Sequence, residues 1–165
     1  MQEVRLAIIG AGGIAQTHAH ALEGVPQVRV TTVVDIIRER AESLADRLHA
    51  DQVYEDIDEA LAKGGFDAVD ICLPTYLHSP VSVAAANHGY HVLCEKPMAL
   101  TLQQANEMTA AARQAGIVLM IAQCRRFDNH WMTFRKAVQD GVIGRPVVWR
   151  SISASPGPSQ TWYYD

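Results

Sequence analysis

A carboxylate, an ammonium and a proline stand side by side at Glu95-Lys96-Pro97, directly after the apolar run His91–Cys94. A lysine at the end of a strand can bind a substrate hydroxyl or help to deprotonate it, if burial or a nearby cation lowers its pKa. It can equally form a solvated ion pair with Glu95. A second constellation opens the chain, where Leu6-Ala7-Ile8-Ile9 runs into Gly10-Ala11-Gly12-Gly13-Ile14-Ala15. In the pattern Gly10-x-Gly12-x-x-Ala15, the first glycine permits a tight turn and the second lets the backbone approach a pyrophosphate. The small Ala15 keeps the following helix close to its strand. The first turn of that helix offers unpaired N–H groups and the positive end of its dipole to phosphate. Asp35 ends the next apolar run, about 20 residues beyond the glycines, where a carboxylate can accept from a ribose 2′-hydroxyl. A carboxylate there repels a 2′-phosphate and so favours NAD, while Arg38 and Arg40 keep NADP open. The other reading of Asp35 is a cap on the following helix.

Further candidates lie at other strand ends. Leu73-Pro74-Thr75-Tyr76-Leu77-His78 follows the run from Ala68, and ligands of open α/β sheets sit outside the carboxyl ends of strands. His78 there either touches a cofactor or caps a helix. Arg125-Arg126-Phe127 follows the last run, and its guanidinium groups suit phosphate or substrate oxygens, or plain solvent. His18 and His20 fall on the first helix and read as structural. No serine, cysteine and histidine arrangement suggests a nucleophilic triad. The three cysteines Cys72, Cys94 and Cys124 are an odd number without metal-ligand spacing. They read as buried free thiols in a reducing, cytoplasmic setting, with no zinc site.

Positioning such groups needs a sheet with helices between its strands. The apolar runs Val4–Ile9, Val28–Val34, Ala68–Leu73, His91–Cys94 and Ile117–Ala122, with a short one at Val53-Tyr54, are rich in Val and Ile. Continuous runs of this kind fit parallel strands buried on both faces. Asp56 with Glu59 and Thr101 with Gln104 have capping-box spacing, and Ser79-Pro80 looks like a capping hydroxyl before a first-turn proline. Gly89, Gly116 and Gly141 stand where helices should stop. Leu102, Ala105, Met108 and Ala112 mark one helix face, and Asp128–Gln139 reads as a final helix. Val147–Ser153 partly alternates, as the first strand of a second sheet would. The expected fold is α/β, a doubly wound parallel (Rossmann) sheet over residues 1–124, with the start of a truncated C-terminal α+β domain over 125–165. Acidic residues number 18 and basic ones 14 among 165, a net charge of −4, which argues against a nucleic-acid partner. No apolar run approaches bilayer-spanning length, and no secretory leader opens the chain, so no membrane partner is expected.

Together these residues resemble the glucose–fructose oxidoreductase/inositol dehydrogenase (Gfo/Idh/MocA) family. The resemblance runs from the glycine loop and Asp35 through Pro74…His78 and Glu95-Lys96-Pro97 to Arg126-Phe127 and the helix before Gly141-Val142-Ile143-Gly144. It implies that Lys96 is the catalytic lysine, that Glu95 and Pro97 help to build a nicotinamide pocket, and that the bond before Pro97 is cis. It places Trp162 near the cofactor, although Tyr163 stands where an arginine often follows, and Thr75 replaces a frequent asparagine. Family members are considerably longer, with a large second sheet and often a catalytic histidine beyond the point where this chain stops. The activity implied is reversible hydride transfer between NAD, or NADP, and a sugar, polyol or related carbinol, by a homo-oligomer in full-length form. The alternative is a non-catalytic dinucleotide-binding or regulatory module.

Overall fold

A computed structural model describes residues 3–152 and 154. Residues up to Ala122 form one compact unit, and those from Gln123 onward form a second. The first unit alternates β1 (Val4–Ile9), α1 (Gly13–Leu22), β2 (Val28–Val34), α2 (Arg38–Leu48), β3 (Gln52–Tyr54), α3 (Ile57–Lys63) and β4 (Ala68–Ile71). It continues through α4 (Thr75–Asn87), β5 (His91–Cys94), α5 (Leu102–Ala115) and β6 (Leu119–Ile121). All strand pairs are parallel, in the order β3-β2-β1-β4-β5-β6. This is the doubly wound arrangement expected from the apolar runs, with its direction reversing between β1 and β4.

Successive side chains of a strand point to opposite faces, and β1 divides accordingly. Leu6 and Ile8 pack with Val30 and Val33 against Ala15 and Ala19 of α1 and Ala41, Leu44 and Ala45 of α2. Ala7 and Ile9 face the other way, with Val34, Val69, Ile71 and Val92, toward Ala60, Leu61, Val81, Ala85 and Met108 of α3, α4 and α5. Burial on both faces is why the strands carry continuous apolar runs rather than alternation.

Local punctuation explains most helix boundaries. The Asp56 carboxylate accepts from Glu59 N at 2.9 Å and opens α3, and Thr101 Oγ1 accepts from Gln104 N at 3.2 Å and opens α5. Gly116 closes α5 in the left-handed conformation, φ +69°. The reading of Ser79-Pro80 as a helix start is corrected. The helix α4 begins at Thr75, and Pro80 lies inside it. Ser79 is buried, and its hydroxyl donates to the Gln104 carbonyl on α5 at 3.3 Å. Leu102 is also not part of the buried face of α5, which Met108 and Ala112 supply; as the first helical residue it is exposed.

In the second unit, Cys124–Arg126 forms a 3-10 turn, and α6 (Asn129–Gln139) starts where Asp128 Oδ1 accepts from His130 N at 2.9 Å. Val147–Ile152, expected to be a strand, pairs with no strand among the described residues, and Ser153 lies outside them. Alternation alone does not make a strand, because its N–H and C=O groups need a neighbouring ladder.

Candidate functional site

The strand ends bring most of the candidate residues to one edge of the sheet. Gly10 leaves β1 at φ +96°, and a Cβ built there would lie 2.7 Å from the Cys72 carbonyl oxygen and 3.0 Å from Leu73 Cδ2. Only glycine suits both that angle and that approach. Gly12 and Gly13 differ: a Cβ at either meets nothing within 4 Å. The space before them is open, and α1 starts at Gly13 without a side-chain cap, so its first N–H groups are free to meet an anion. Ala15 is fully buried beneath the loop, and Ile14 is partly exposed beside it.

Asp35 follows β2, half-buried. Its Oδ2 accepts from Ala11 N at 2.7 Å, and its Oδ1 accepts from Ile37 N at 2.9 Å. The carboxylate therefore ties the glycine loop to the entry of α2, and it retains lone pairs for a further donor. Arg38 is engaged elsewhere, donating from Nε to Glu42 Oε1 at 2.8 Å.

His78 lies in α4 rather than in a loop, and it is 1% exposed. Its ring nitrogens are 2.8 Å from the Leu73 carbonyl oxygen and 2.7 Å from that of Pro97. Leu73 and Pro74, which follow β4, are thereby stapled to the turn after β5. His78 positions both turns and is closed off from solvent itself. The peptide bond between Lys96 and Pro97 is cis.

The Glu95-Lys96 pair is not the solvated ion pair that one reading expected. Glu95 is buried, while Lys96 and Pro97 are exposed. The Glu95 Oε2 accepts from the Lys96 backbone N–H at 2.9 Å, and Oε1 lies 3.2 Å from His18 Nε2. Among the described residues the Lys96 ammonium takes part in no ion pair.

His18 departs most from the sequence reading. It sits between two buried carboxylates, Nδ1 at 2.7 Å from Asp70 Oδ2 and Nε2 at 3.2 Å from Glu95 Oε1. The hydrogen bond with Asp70 is the main cause of an upward shift in its pKa; burial opposes it, and the two negative charges add to it. Cys72 closes the cluster, with Sγ 3.6 Å from His18 Nδ1 and donating to Asp70 Oδ1 at 3.7 Å. Burial, then the charges of Asp70 and Glu95, push its thiol pKa up, which keeps it protonated. Two signals in the sequence pointed here. Asp70 is a lone charge inside a buried strand run, and His18 falls three residues after Ala15 and one before Ala19, on the buried side of α1. Cys94 is buried as expected, its thiol pushed up to about 12 by burial, but Cys124 is exposed in the 3-10 turn.

Arg126 belongs to the second unit. There it lines a cavity of about 580 Å³ with Arg125, Trp131, Phe134 and Trp149, in which the Phe134 and Trp149 rings are 4.5 Å apart. Trp162 lies outside the described residues. No helix among the described residues is long and apolar enough to cross a membrane.

The chain matches the family model described as "Oxidoreductase family, NAD-binding Rossmann fold" over residues 4–123. It is 32% identical to the myo-inositol 2-dehydrogenase of Thermotoga maritima over 94% of its own length and 46% of that protein. It is 35% identical to the NADP⁺-dependent scyllo-inositol 2-dehydrogenase of Bacillus subtilis over 81% of its length and 40% of that protein. Among solved structures, an oxidoreductase from Agrobacterium radiobacter in complex with NAD⁺, L-tartaric acid and magnesium superposes with a TM-score of 0.83. It is 29% identical and covers 88% of this chain and 42% of that one. The chain thus spans less than half the length of these relatives.

Proposed function

The chain belongs to the Gfo/Idh/MocA oxidoreductase family and carries its NAD-binding Rossmann domain. From that premise we propose that the whole protein transfers a hydride between a nicotinamide dinucleotide and the carbinol carbon of a sugar, polyol or related compound. The observation that carries the reading is the shared sheet edge. An open glycine loop, a carboxylate and an exposed lysine follow the carboxyl ends of β1, β2 and β5 in one parallel sheet.

The residues fit a dinucleotide. The free N–H groups at Gly12, Gly13 and Ile14 would hold its pyrophosphate, and the lack of any atom near a Gly12 Cβ leaves room for it. Asp35 would accept from the adenosine ribose, using the lone pairs that Ala11 and Ile37 leave free. That choice favours NAD. Leu73, Pro74 and Pro97, locked by His78, would wall the nicotinamide end. When bound, the nicotinamide supplies the hydride acceptor or donor. Lys96 would hydrogen-bond the substrate oxygen, as a neutral amine taking the hydroxyl proton when the carbinol is oxidised and as the resulting ammonium returning it in the reverse reaction, acting most strongly in the transition state. The full-length protein is expected to be a cytoplasmic homo-oligomer.

Calorimetric titration of the chain with NADH and NADPH tests the cofactor reading. Tighter NADH binding is expected, and the absence of binding by either at millimolar concentration would overturn it. Turnover of the full-length protein with a panel of polyols and sugars separates the enzyme from a module that only binds the nucleotide.

A further inference from the structure

We propose that His18 is held as an imidazolium between Asp70 and Glu95, and that in this charged form it positions the Glu95-Lys96-Pro97 turn. Both ring nitrogens lie within hydrogen-bond distance of carboxylate oxygens, at 2.7 Å and 3.2 Å. An ionised carboxylate only accepts, so both nitrogens must donate, and a neutral ring has a single N–H. The site also needs the charge. Asp70 is 1% exposed and Glu95 is 7% exposed, and two buried carboxylates around one ring require a compensating cation.

The groups facing His18 are Asp70 of β4, Cys72 after it and Glu95 after β5. Cys94 lies just behind, its thiol bonded to the Glu95 carbonyl oxygen at 3.5 Å. Neither protonated thiol supplies a positive charge, so that task falls to His18 within this group. The consequence reaches Lys96 through a single carboxylate. One oxygen of Glu95 meets the imidazole and the other accepts from the Lys96 backbone N–H. Loss of the His18 proton removes one donor and leaves two buried negative charges facing each other. Glu95 is then driven to rotate toward solvent, and the bond that fixes the Lys96 backbone is released.

The sign of the pH dependence follows. A histidine whose folded pKa is raised contributes its stabilisation fully below the ordinary value of about 6.5. That contribution is lost as pH rises through the raised folded value. The turn is therefore fixed while His18 is charged and loosens as pH rises through its raised midpoint. His18 is a positioning residue in this scheme, and the scheme's meaning for turnover rests on the role proposed above for Lys96.

Nitrogen-15 NMR of the histidine rings and of the Lys96 amide, in the unliganded 165-residue chain, tests it. Below a midpoint that should lie above about 6.5, both His18 ring nitrogens should carry protons. The Lys96 amide resonance should titrate with that same midpoint and lose the transition in His18→Gln. NADH affinity should fall about tenfold through the same midpoint, as for one lost charge-assisted hydrogen bond, and should be flat there in His18→Gln. A His18 midpoint at or below about 6.5, or a Lys96 amide blind to the His18 titration, would overturn the proposal even if His18→Gln failed to fold. An unaltered chain that binds no NADH would instead overturn the proposed function, while the ring and amide spectra still decide the state of His18.

Discussion

Lys96 and Asp35 separate chemistry from binding at the scale of single residues. Lys96 is exposed, its ammonium is outside the ion pairs of the described residues, and its backbone rather than its side chain is tied to Glu95. In the full-length protein, Lys96→Ala should lower kcat by about 10²–10⁴-fold, the usual contribution of a general acid–base group, with cofactor affinity nearly unchanged. Single-turnover kinetics with a separate NADH titration would check this; a loss confined to cofactor binding would contradict it. Asp35 has the opposite profile. Asp35→Ala should weaken NAD more than NADP, and it should also cost about 1 kcal/mol of stability, because Ala11 N and Ile37 N lose their acceptor. Equal losses for both cofactors, together with an unfolding midpoint that drops, would leave Asp35 with its linking role alone.

The glycine loop makes the corresponding test at the scale of the element. Gly10→Ala places a Cβ 2.7 Å from a backbone oxygen at φ +96°. It should destabilise the first unit by more than the ~1–3 kcal/mol typical of a strained backbone angle. Gly12→Ala meets no atom and keeps an ordinary backbone angle, φ −77°, so it should unfold like the parent while losing NADH affinity. Denaturant unfolding beside a cofactor titration would show whether the two substitutions part in this way. Elements of this kind were the legible part of the sequence. Val- and Ile-rich runs marked the central strands because both sheet faces are buried there, and Asp56 and Thr101 marked helix starts because their capping bonds are local. What was not legible depended on distant partners. Ser79-Pro80 has the spacing of a helix start, yet Pro74 and Thr75 already begin α4 five residues earlier. The role of His18 rests on Asp70 and Glu95, which are 52 and 77 residues away. Val147–Ile152 alternates like a strand, but no ladder among the described residues receives it.

The whole molecule divides where its packing divides. Both hydrophobic clusters of the sheet draw their members from Leu6 to Ile121, so every strand among the described residues and both covering helix layers lie within residues 4–122. The second unit is different in kind. Its long helix among the described residues, α6, buries no residue, and Trp131, Met132, Val147, Val148, Trp149 and Ile152 are all exposed to some degree. Apolar surface on that scale favours association. A chain ending at Ala122 should therefore keep a cooperative thermal transition, since the loss of Gln123 onward removes no member of either cluster. It should also run as a monomer over a wider concentration range than the 165-residue chain. Circular dichroism melts of the two lengths, with light scattering from micromolar concentration upward, make the comparison. A broad, non-cooperative melt of the shorter chain would show that the sheet depends on the second unit for its stability. Equal association of both lengths would move the sticky surface from α6 and its neighbours to the sheet domain, where Ile36, Tyr76 and Leu102 are the exposed apolar groups to substitute next.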